Sequence, residues 1–484
     1  MAGVPERLDT FFRLSPVADS RVRCFAVRRG DVNARALSAP LYSPELQLFL
    51  QRLARHPAAQ KPLHSFVDIN PPVDFSGLQP DSIVSFIPMD SVADGATGEV
   101  NLLSRPLSDV QKGYTPFTEG DILWAKITPC MQNGKSCIAR GLENGIGFGS
   151  TEFHVFRPLT AEVSTEFIWE FLNQETLRRV APYTFTGSAG HQRVPASFLA
   201  ELPFPKLPKK EQDRLVGFMA VARTSRRTKQ AEADALLAGL DNFLLETFGF
   251  AQAPKDNRKI FAVRRDSVFA RFDPHFHLPA FAQNIKMLAD YGSEPLGNFT
   301  TFSEEIWKPE KHEAPTFRYI EISNVNTTTG EARAEETLVA EAPSRARMVV
   351  RQGDIIVSLT RPHHGAIAQI TTDLDDCVAS TGFSVLRGVD ERRVSRDYLW
   401  CVLRSKMCLD QMLQRASGGN YPAITQPELA KVLVPVPDPA VQETIAAESR
   451  RRRDEAKRLR EEAETAWTTA KEKFEQALLS EKGD

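Results

Sequence analysis

Two stretches of the chain carry apolar residues at every third or fourth position for about ten turns. The first runs from about Lys209 to Phe248 and puts Leu215, Phe218, Met219, Ala222, Ala233, Leu236, Leu237, Leu240, Phe243 and Leu244 on one stripe. The second runs from about Ala440 to Leu479, with Val441, Ile445, Ala456, Leu459, Ala463, Trp467, Ala470, Phe474 and Leu478. This period predicts two long amphipathic helices, each ~60 Å long at a rise of ~1.5 Å per residue. Pro205 and Pro208 precede the first stretch, and Pro437 and Pro439 the second. Proline there fixes the entry into a helix. One such rod cannot bury its stripe alone, so the two are expected to pack together, most simply antiparallel, as a coiled coil.

Ahead of each rod the pattern changes. The segments around "EGDILWAKITP" and "QGDIIVSLTRP" alternate apolar and polar residues and are rich in β-branched types, which predicts strands entered through a Gly-Asp bend. "TEFIWEFLNQETLRRVAP" and "RDYLWCVLRSKMCLDQML" return to the helical period. These pairings belong to a larger repeat. "FAVRR" occurs at Phe25 and again at Phe261, 236 residues later. "TGE" occurs at Thr97 and Thr329, "STEFHVFRP" and "STGFSVLRG" start at Ser150 and Ser380, and Trp169 matches Trp400. A Gly-containing segment follows in each copy, "TGSAGHQRV" and "SGGNYPAI"; then "ELPFPKLPKKEQ" faces "VLVPVPDPAVQ". Many landmarks in one order at nearly one offset mean a duplicated fold. Each copy is expected to be a mixed α+β globule followed by its rod.

Composition narrows the partners. A chain of 484 residues calls for two or more domains. A net charge of −2 gives no global signature of nucleic-acid binding, so any basic surface must be local. The six cysteines, at positions 24, 130, 137, 377, 401 and 408, form no CxxC pair. They suit a reducing, cytoplasmic compartment and core positions. The N-terminal "MAGVPERLDTFFRLSPV" does not read as a signal peptide, and no apolar run approaches the ~20 residues of a membrane span.

The doubled "GDI", "ST.F.V.R", Gly-containing segment and proline-led entry into a long helix resemble the specificity subunit of type I restriction-modification systems. The resemblance spans nearly the whole chain. It implies a tandem pseudo-twofold fold in which two mixed target-recognition domains are separated by two long antiparallel coiled-coil spacer helices. Residues 1–208 would be the first recognition domain, 209–250 the first spacer and 251–259 a linker. Residues 260–438 would be the second recognition domain and 439–484 the second spacer and tail. The resemblance also implies recognition of a bipartite, asymmetric site in double-stranded DNA. The implied partners are methyltransferase subunits, two of them, and a nuclease or translocase subunit in a full complex. No cofactor is expected in this chain; S-adenosylmethionine would belong to the partner.

Base reading needs forked donors and acceptors, and phosphate binding needs Lys, Arg or main-chain N–H groups. In the first copy Lys126, Thr128, Gln132, Asn133 and Lys135 fall in or beside one loop, and His191, Gln192 and Arg193 in another. In the second copy the candidates are Thr360, Arg361, His363 and His364, with Asn420 and Tyr421. The bland reading of all of them is a solvated loop. The basic runs "RTSRRTKQ" (Arg223–Gln230) and "RRRR" (Arg450–Arg453) read as a solvated helix face or salt bridges to acids such as Glu448 and Asp454, against phosphate contact or partner docking.

Three motifs are decoys. "INPPV" (Ile69–Val73) is similar to the "NPPY/F" motif of amino-methyltransferases, but Val73 stands where an aromatic residue would hold a flipped base. "GIGFG" (Gly145–Gly149) lacks the following Lys-Ser/Thr of a phosphate loop. His363-His364 has no second ligand cluster near it in sequence to complete a metal site. Glu152 occupies a slot that is Gly382 in the other copy, which favours a structural role over that of a general base. Two rival readings remain: a DNA methyltransferase with its own catalytic centre, and a coiled-coil adaptor that binds protein.

Overall fold

The computed structural model describes residues 39–187, 192–250, 260–263, 268 and 271–479. The first "FAVRR", Arg264 and Arg265 of the second, Cys24 and the expected linker 251–259 lie outside them. The chain divides into two compact units, residues 1–227 with 463–484 and residues 228–462. The division falls inside the two long helices, because each helix contributes one stretch to either unit.

Among its described residues the first unit holds ten strands: β1 (Lys61–Pro62), β2 (Val67–Ile69), β3 (Ile83–Ile87), β4 (Leu103–Pro106), β5 (Thr115–Thr118), β6 (Ile122–Ala125), β7 (Ser136–Ile138), β8 (Ile146–Gly149), β9 (Phe153–Pro158) and β10 (Pro203–Phe204). They form sheets of order β2-β9-β6-β7 and β4-β3-β8-β5, with β1 paired to β10. The second unit holds β11 (Glu294–Pro295), β12 (Thr300–Phe302), β13 (Thr316–Ile320), β14 (Glu335–Leu338), β15 (Ala346–Val349), β16 (Ile355–Ser358), β17 (Ile367–Gln369), β18 (Val378–Ser380), β19 (Phe383–Val389) and β20 (Leu433–Val434). Their orders are β12-β19-β16-β17 and β14-β13-β18-β15, with β11 paired to β20. The topology is the same in both units. Even the parallel pair recurs, β3 with β8 and β13 with β18. The duplication read from the sequence is a duplication of the fold.

The recurring motif residues meet in space. Gly120 and Gly353 take φ of +84° and +85°, where a β-carbon is disfavoured, and turn the chain into β6 and β16. The next residue, Asp121 or Asp354, is buried at the turn. Its carboxylate accepts the main-chain N–H of Thr118 or Arg351, each at 2.8 Å. The same carboxylate holds the arginine of the "ST.F.V.R" motif. Arg157 binds Asp121 at 2.8 and 2.7 Å, and Arg387 binds Asp354 at 2.9 Å through Nη2. Thus "GDI" and the distant arginine are two halves of one ion pair that ties neighbouring strands.

Each unit also packs helices against its core. In the first these are α1 (Pro44–Arg55) and α2 (Thr165–Leu172), followed by the short α3 (Glu175–Val180). The long helix α4 (Lys209–Phe248) comes next. The second unit has α5 (Pro279–Asp290), α6 (Arg396–Leu403), α7 (Lys406–Arg415) and the long α8 (Pro439–Leu479). Ser164 and Ser395 cap α2 and α6 by accepting the N–H of Phe167 and Tyr398.

Within each unit the two long helices run antiparallel and share a core. In the first unit Leu215, Met219 and Ala222 of α4 join Trp467, Ala470, Phe474 and Leu478 of α8 in the cluster that includes Phe167 and Phe204 of the globule. Each large side chain buried there contributes ~1.5–3 kcal/mol. In the second unit Ala233 and Leu237 meet Ala456 and Leu459, and Leu244, Phe248 and Ile445 enter the globule's core. Ion pairs flank the seam: Arg226–Glu464 in the first unit, and Lys229–Glu462 and Arg460–Asp234 in the second. Phe218 departs from the expected stripe. It is exposed on the helix surface, its ring under the Lys473 ammonium at 5.2 Å.

A buried glutamine fastens each rod to its globule. Gln212 accepts the N–H of Ser164 at 3.0 Å and donates to the carbonyls of Glu162 and Leu207 at 3.0 and 2.8 Å. Gln442 does the same with Ser395, Arg393 and Pro437 at 2.9, 2.8 and 2.9 Å. An amide side chain in this position satisfies three main-chain groups that a hydrocarbon would strand. Gln442→Ala should therefore destabilise the second unit by ~2–4 kcal/mol. Urea unfolding followed by a second-unit probe such as Trp400 would show a lowered midpoint.

Candidate nucleic-acid interface

The candidate residues sit where β6 and β16 end, and the main chain grips that end in one way in both units. Lys126 N–H donates to the Glu152 carbonyl at 2.9 Å, and Leu359 N–H to Gly382 at 2.7 Å. Val194 N–H donates to Lys126 at 3.0 Å, and Ile424 N–H to Leu359 at 2.9 Å. Thr128 N–H donates to Gln192 at 3.2 Å, and Arg361 N–H to Pro422 at 2.7 Å. A paired exchange of N–H and carbonyl then closes each glycine-containing loop, Thr186 with Arg193 at 3.0 Å and Ser417 with Ala423 at 2.8 Å. These bonds set the correspondence of the two sites residue by residue. Thr128 stands for Arg361, Gln192 for Pro422, Arg193 for Ala423 and Glu152 for Gly382.

In the first unit the frame brings Lys126, Thr128, Gln192 and Arg193 together; His191 lies outside the described residues. Arg193 is already engaged. Its guanidinium forms a two-point ion pair with Glu152 at 2.8 and 2.6 Å. The second unit has neither partner, since Gly382 and Ala423 replace both. The Glu152 carboxylate is thus a structural counter-ion. Burial lowers the Lys126 ammonium below its usual range, against the pull of Glu152 and with the push of Arg193. Gln132 and Asn133 are exposed on the turn after Pro129, and the Thr128 hydroxyl donates to Gln132 Oε1 at 2.5 Å. Lys135 points inward. Its ammonium donates to the carbonyls of Val92 and Met89 at 2.6 and 3.3 Å, which pins the 89–94 loop. In the sequence Lys135 is a loop candidate, but here its ammonium is spent on these carbonyls and on Asp94, 3.7 Å away.

In the second unit Thr360, Arg361, His363, His364 and Asn420 converge with Tyr421. Arg361, His363, His364 and Asn420 line a cavity of about 750 Å³ together with Asp273 and His275. The His363 and His364 rings meet edge to face at 4.5 Å. Burial lowers the His363 imidazole, and His364, Arg361 and His275 add to the effect. Tyr421 is 71% exposed and lies under the Arg361 guanidinium at 4.3 Å. Among the described residues, no group of three His, Cys, Asp or Glu is placed to hold a metal ion.

The remaining motifs resolve as structure. Asn70 of "INPPV" takes φ +55°, and its side-chain oxygen accepts Val155 N–H at 3.0 Å. Its amide nitrogen faces His154 Nδ1 at 3.3 Å, and His154 Nε2 donates to the Val194 carbonyl at 2.8 Å. The basic runs on the rods are paired or stacked. Arg223 bridges buried Glu170 and lies over Trp169 at 4.6 Å and Trp467 at 5.5 Å. Arg451 and Arg452 share Glu448, whose carboxyl they push down to about 2. Arg450 pairs with Asp397, and Arg453 lies over Trp400 at 4.1 Å. Burial pushes the thiols of Cys137 and Cys408 up to about 12, as suits core residues. No helix among the described residues is long and apolar enough to cross a membrane.

Comparison with known proteins finds the resemblance again over part of the chain. Over 155 residues it is 37% identical to the type I restriction enzyme EcoEI specificity subunit of Escherichia coli, a match covering 32% of this chain and 26% of that protein. The EcoAI specificity subunit of the same organism is 38% identical over 154 residues, with the same shares covered. The matched region therefore spans about a quarter of the length of these curated relatives. A solved chain from a study of assembly and conformational transition of the type I R-M system aligns over 83% of this chain and 91% of its own, with 16% identity and a TM-score of 0.47. No family model matches the sequence.

His154 gives the first unit a pH signature. Burial holds its imidazole down at about 4 from an ordinary value of 6.5. Unfolding releases it, so between those values the unfolded chain binds more protons. Stability then rises with pH across the window and is lost on acidification, by up to roughly 3 kcal/mol for this group. Urea midpoints measured from pH 4 to 7 should climb, and His154→Leu should flatten that slope.

Proposed function

We propose that this chain is the DNA sequence-specificity subunit of a restriction-modification complex and that each unit reads one half of a bipartite, asymmetric site. One observation carries the reading. Two units share strand order, loop frame and closing hydrogen bonds, yet differ in chemistry wherever a side chain leaves the frame. Thr128 against Arg361, Arg193 against Ala423 and Gln192 against Pro422 are such differences. A pair of sites built to bind the same ligand would keep its side chains; a pair built to read different sequences would keep only the scaffold.

The mechanism is selective binding. Lys126 and loop amides hold phosphate, and Gln132, Asn133, Arg361, His364 and Asn420 supply donors and acceptors for base edges. Chemistry falls to partner chains: methyltransferase subunits that use S-adenosylmethionine and, in a full complex, a nuclease or translocase. The enzyme rival loses its candidate residue, because the Asn70 side chain is committed to Val155 and His154. The adaptor rival makes no use of two loop sites that share a frame and differ in donors.

The chain would be co-expressed with its neighbouring operon products and modified adenines mapped by single-molecule sequencing. A split motif with unlike halves is expected. Modification without sequence preference, or at a contiguous palindrome, would refute the reading.

A further inference from the structure

Arg361 is fixed more firmly than a phosphate ligand needs to be. It takes φ +46°, a left-handed conformation that is costly for a residue with a β-carbon. Its N–H is spent on Pro422 at 2.7 Å, and its carbonyl accepts His364 N–H at 3.0 Å. Its Nη2 donates to the Asn420 carbonyl at 3.0 Å, and its guanidinium carbon lies over the Tyr421 ring, 4.3 Å from the centroid. Among the described residues no carboxylate comes within ion-pairing distance of it. Arg193, Arg387, Arg415 and Arg452 each have one. Nε and Nη1 find no protein acceptor among the described residues.

The arrangement separates two uses of an arginine. A phosphate is held by charge from almost any direction, and a mobile side chain serves. Paired hydrogen bonds to a base edge need the guanidinium plane fixed, and fixing it in advance removes the ordering cost at binding. Arg361 meets the second description: an aromatic ring lies beneath its guanidinium carbon, one nitrogen is anchored and, among the described residues, no carboxylate pairs with it. Of the four base pairs only guanine offers two acceptors side by side in the major groove, O6 and N7; adenine sets a donor beside N7. The cavity that Arg361 lines, with Asp273, His275, His363 and His364 also in its wall, lies beside the guanidinium.

We infer that Arg361 reads a guanine in the half-site of the second unit, through paired hydrogen bonds to O6 and N7, and that Tyr421 is the positioning residue that holds its plane. This rests on the DNA-reading function proposed above and adds the base. Arg361→Lys and Tyr421→Leu would be made in the co-expressed complex. The methylation motif would be mapped, and binding measured on duplexes in which each base pair of the second half-site is varied in turn. Arg361→Lys should cut discrimination at one G·C position by about ten- to a hundred-fold, with the first half-site read as before. Tyr421→Leu should weaken discrimination at that same position and leave the salt dependence of binding unchanged. In a neutral third variant, Arg361→Ala, a loss spread evenly over all sequences with a salt slope shallower by about one would make Arg361 a phosphate ligand and overturn the assignment. Unchanged discrimination in Arg361→Lys, or a second half-site without guanine, would overturn it too while leaving the bipartite reading intact. A wild-type complex with no split motif would sink both.

Discussion

The candidate sites depend on main-chain hydrogen bonds at the end of one strand. Lys126 and Leu359 each give an N–H to one neighbouring segment and a carbonyl to another, so the chain there is held from both sides. Side chains take no part in that grip. Any residue can therefore follow without moving the loop, and the two units use this freedom to place a threonine in one and a left-handed arginine in the other. The buried Asp–Arg pairs act one step further back. They anchor the turn into β6 and β16 to β9 and β19, and so fix where the gripped strand begins.

The rods serve the same end at larger scale. An amphipathic helix of forty residues gains nothing by standing in water with its stripe exposed. In each unit the stripe is covered by the opposite helix and by the globule's own core. Gln212 and Gln442 make the attachment directional, because an amide with three main-chain partners accepts only one orientation. Hydrophobic burial supplies the strength of the joint, and these hydrogen bonds supply its geometry.

Much of this architecture was legible in the sequence. Helical periodicity located both rods because a long stripe has no other explanation. The repeat was visible because "GDI", the serine caps' helices and the proline-led rod entries are fixed by backbone needs that both copies share. The site was less legible for a physical reason: a sequence shows which charges exist and not what they face. Lys135 and Arg193 stood in or beside loops in the sequence; one is spent on main-chain carbonyls and Asp94, the other on Glu152. The exchange of Glu152 and Arg193 for Gly382 and Ala423 was a usable signal, since a charge that disappears together with its opposite marks a pair. Phe218 matched the stripe by spacing alone and lies outside the seam. The left-handed turn at Arg361 had no sequence mark, as an arginine gives no hint of positive φ.

The Glu152–Arg193 pair has a bearing on how such a chain could diversify. Its members lie 41 residues apart in sequence and meet across the loop frame. A crossover between the two copies that falls inside this interval would bring an acid opposite Ala423 or an arginine opposite Gly382, leaving an orphan charge in the loop frame. A crossover outside it, in the rods for example, would move both members together. An exchange of segments between the two copies would thus be tolerated where it carries Glu152 and Arg193 together and costly where it parts them.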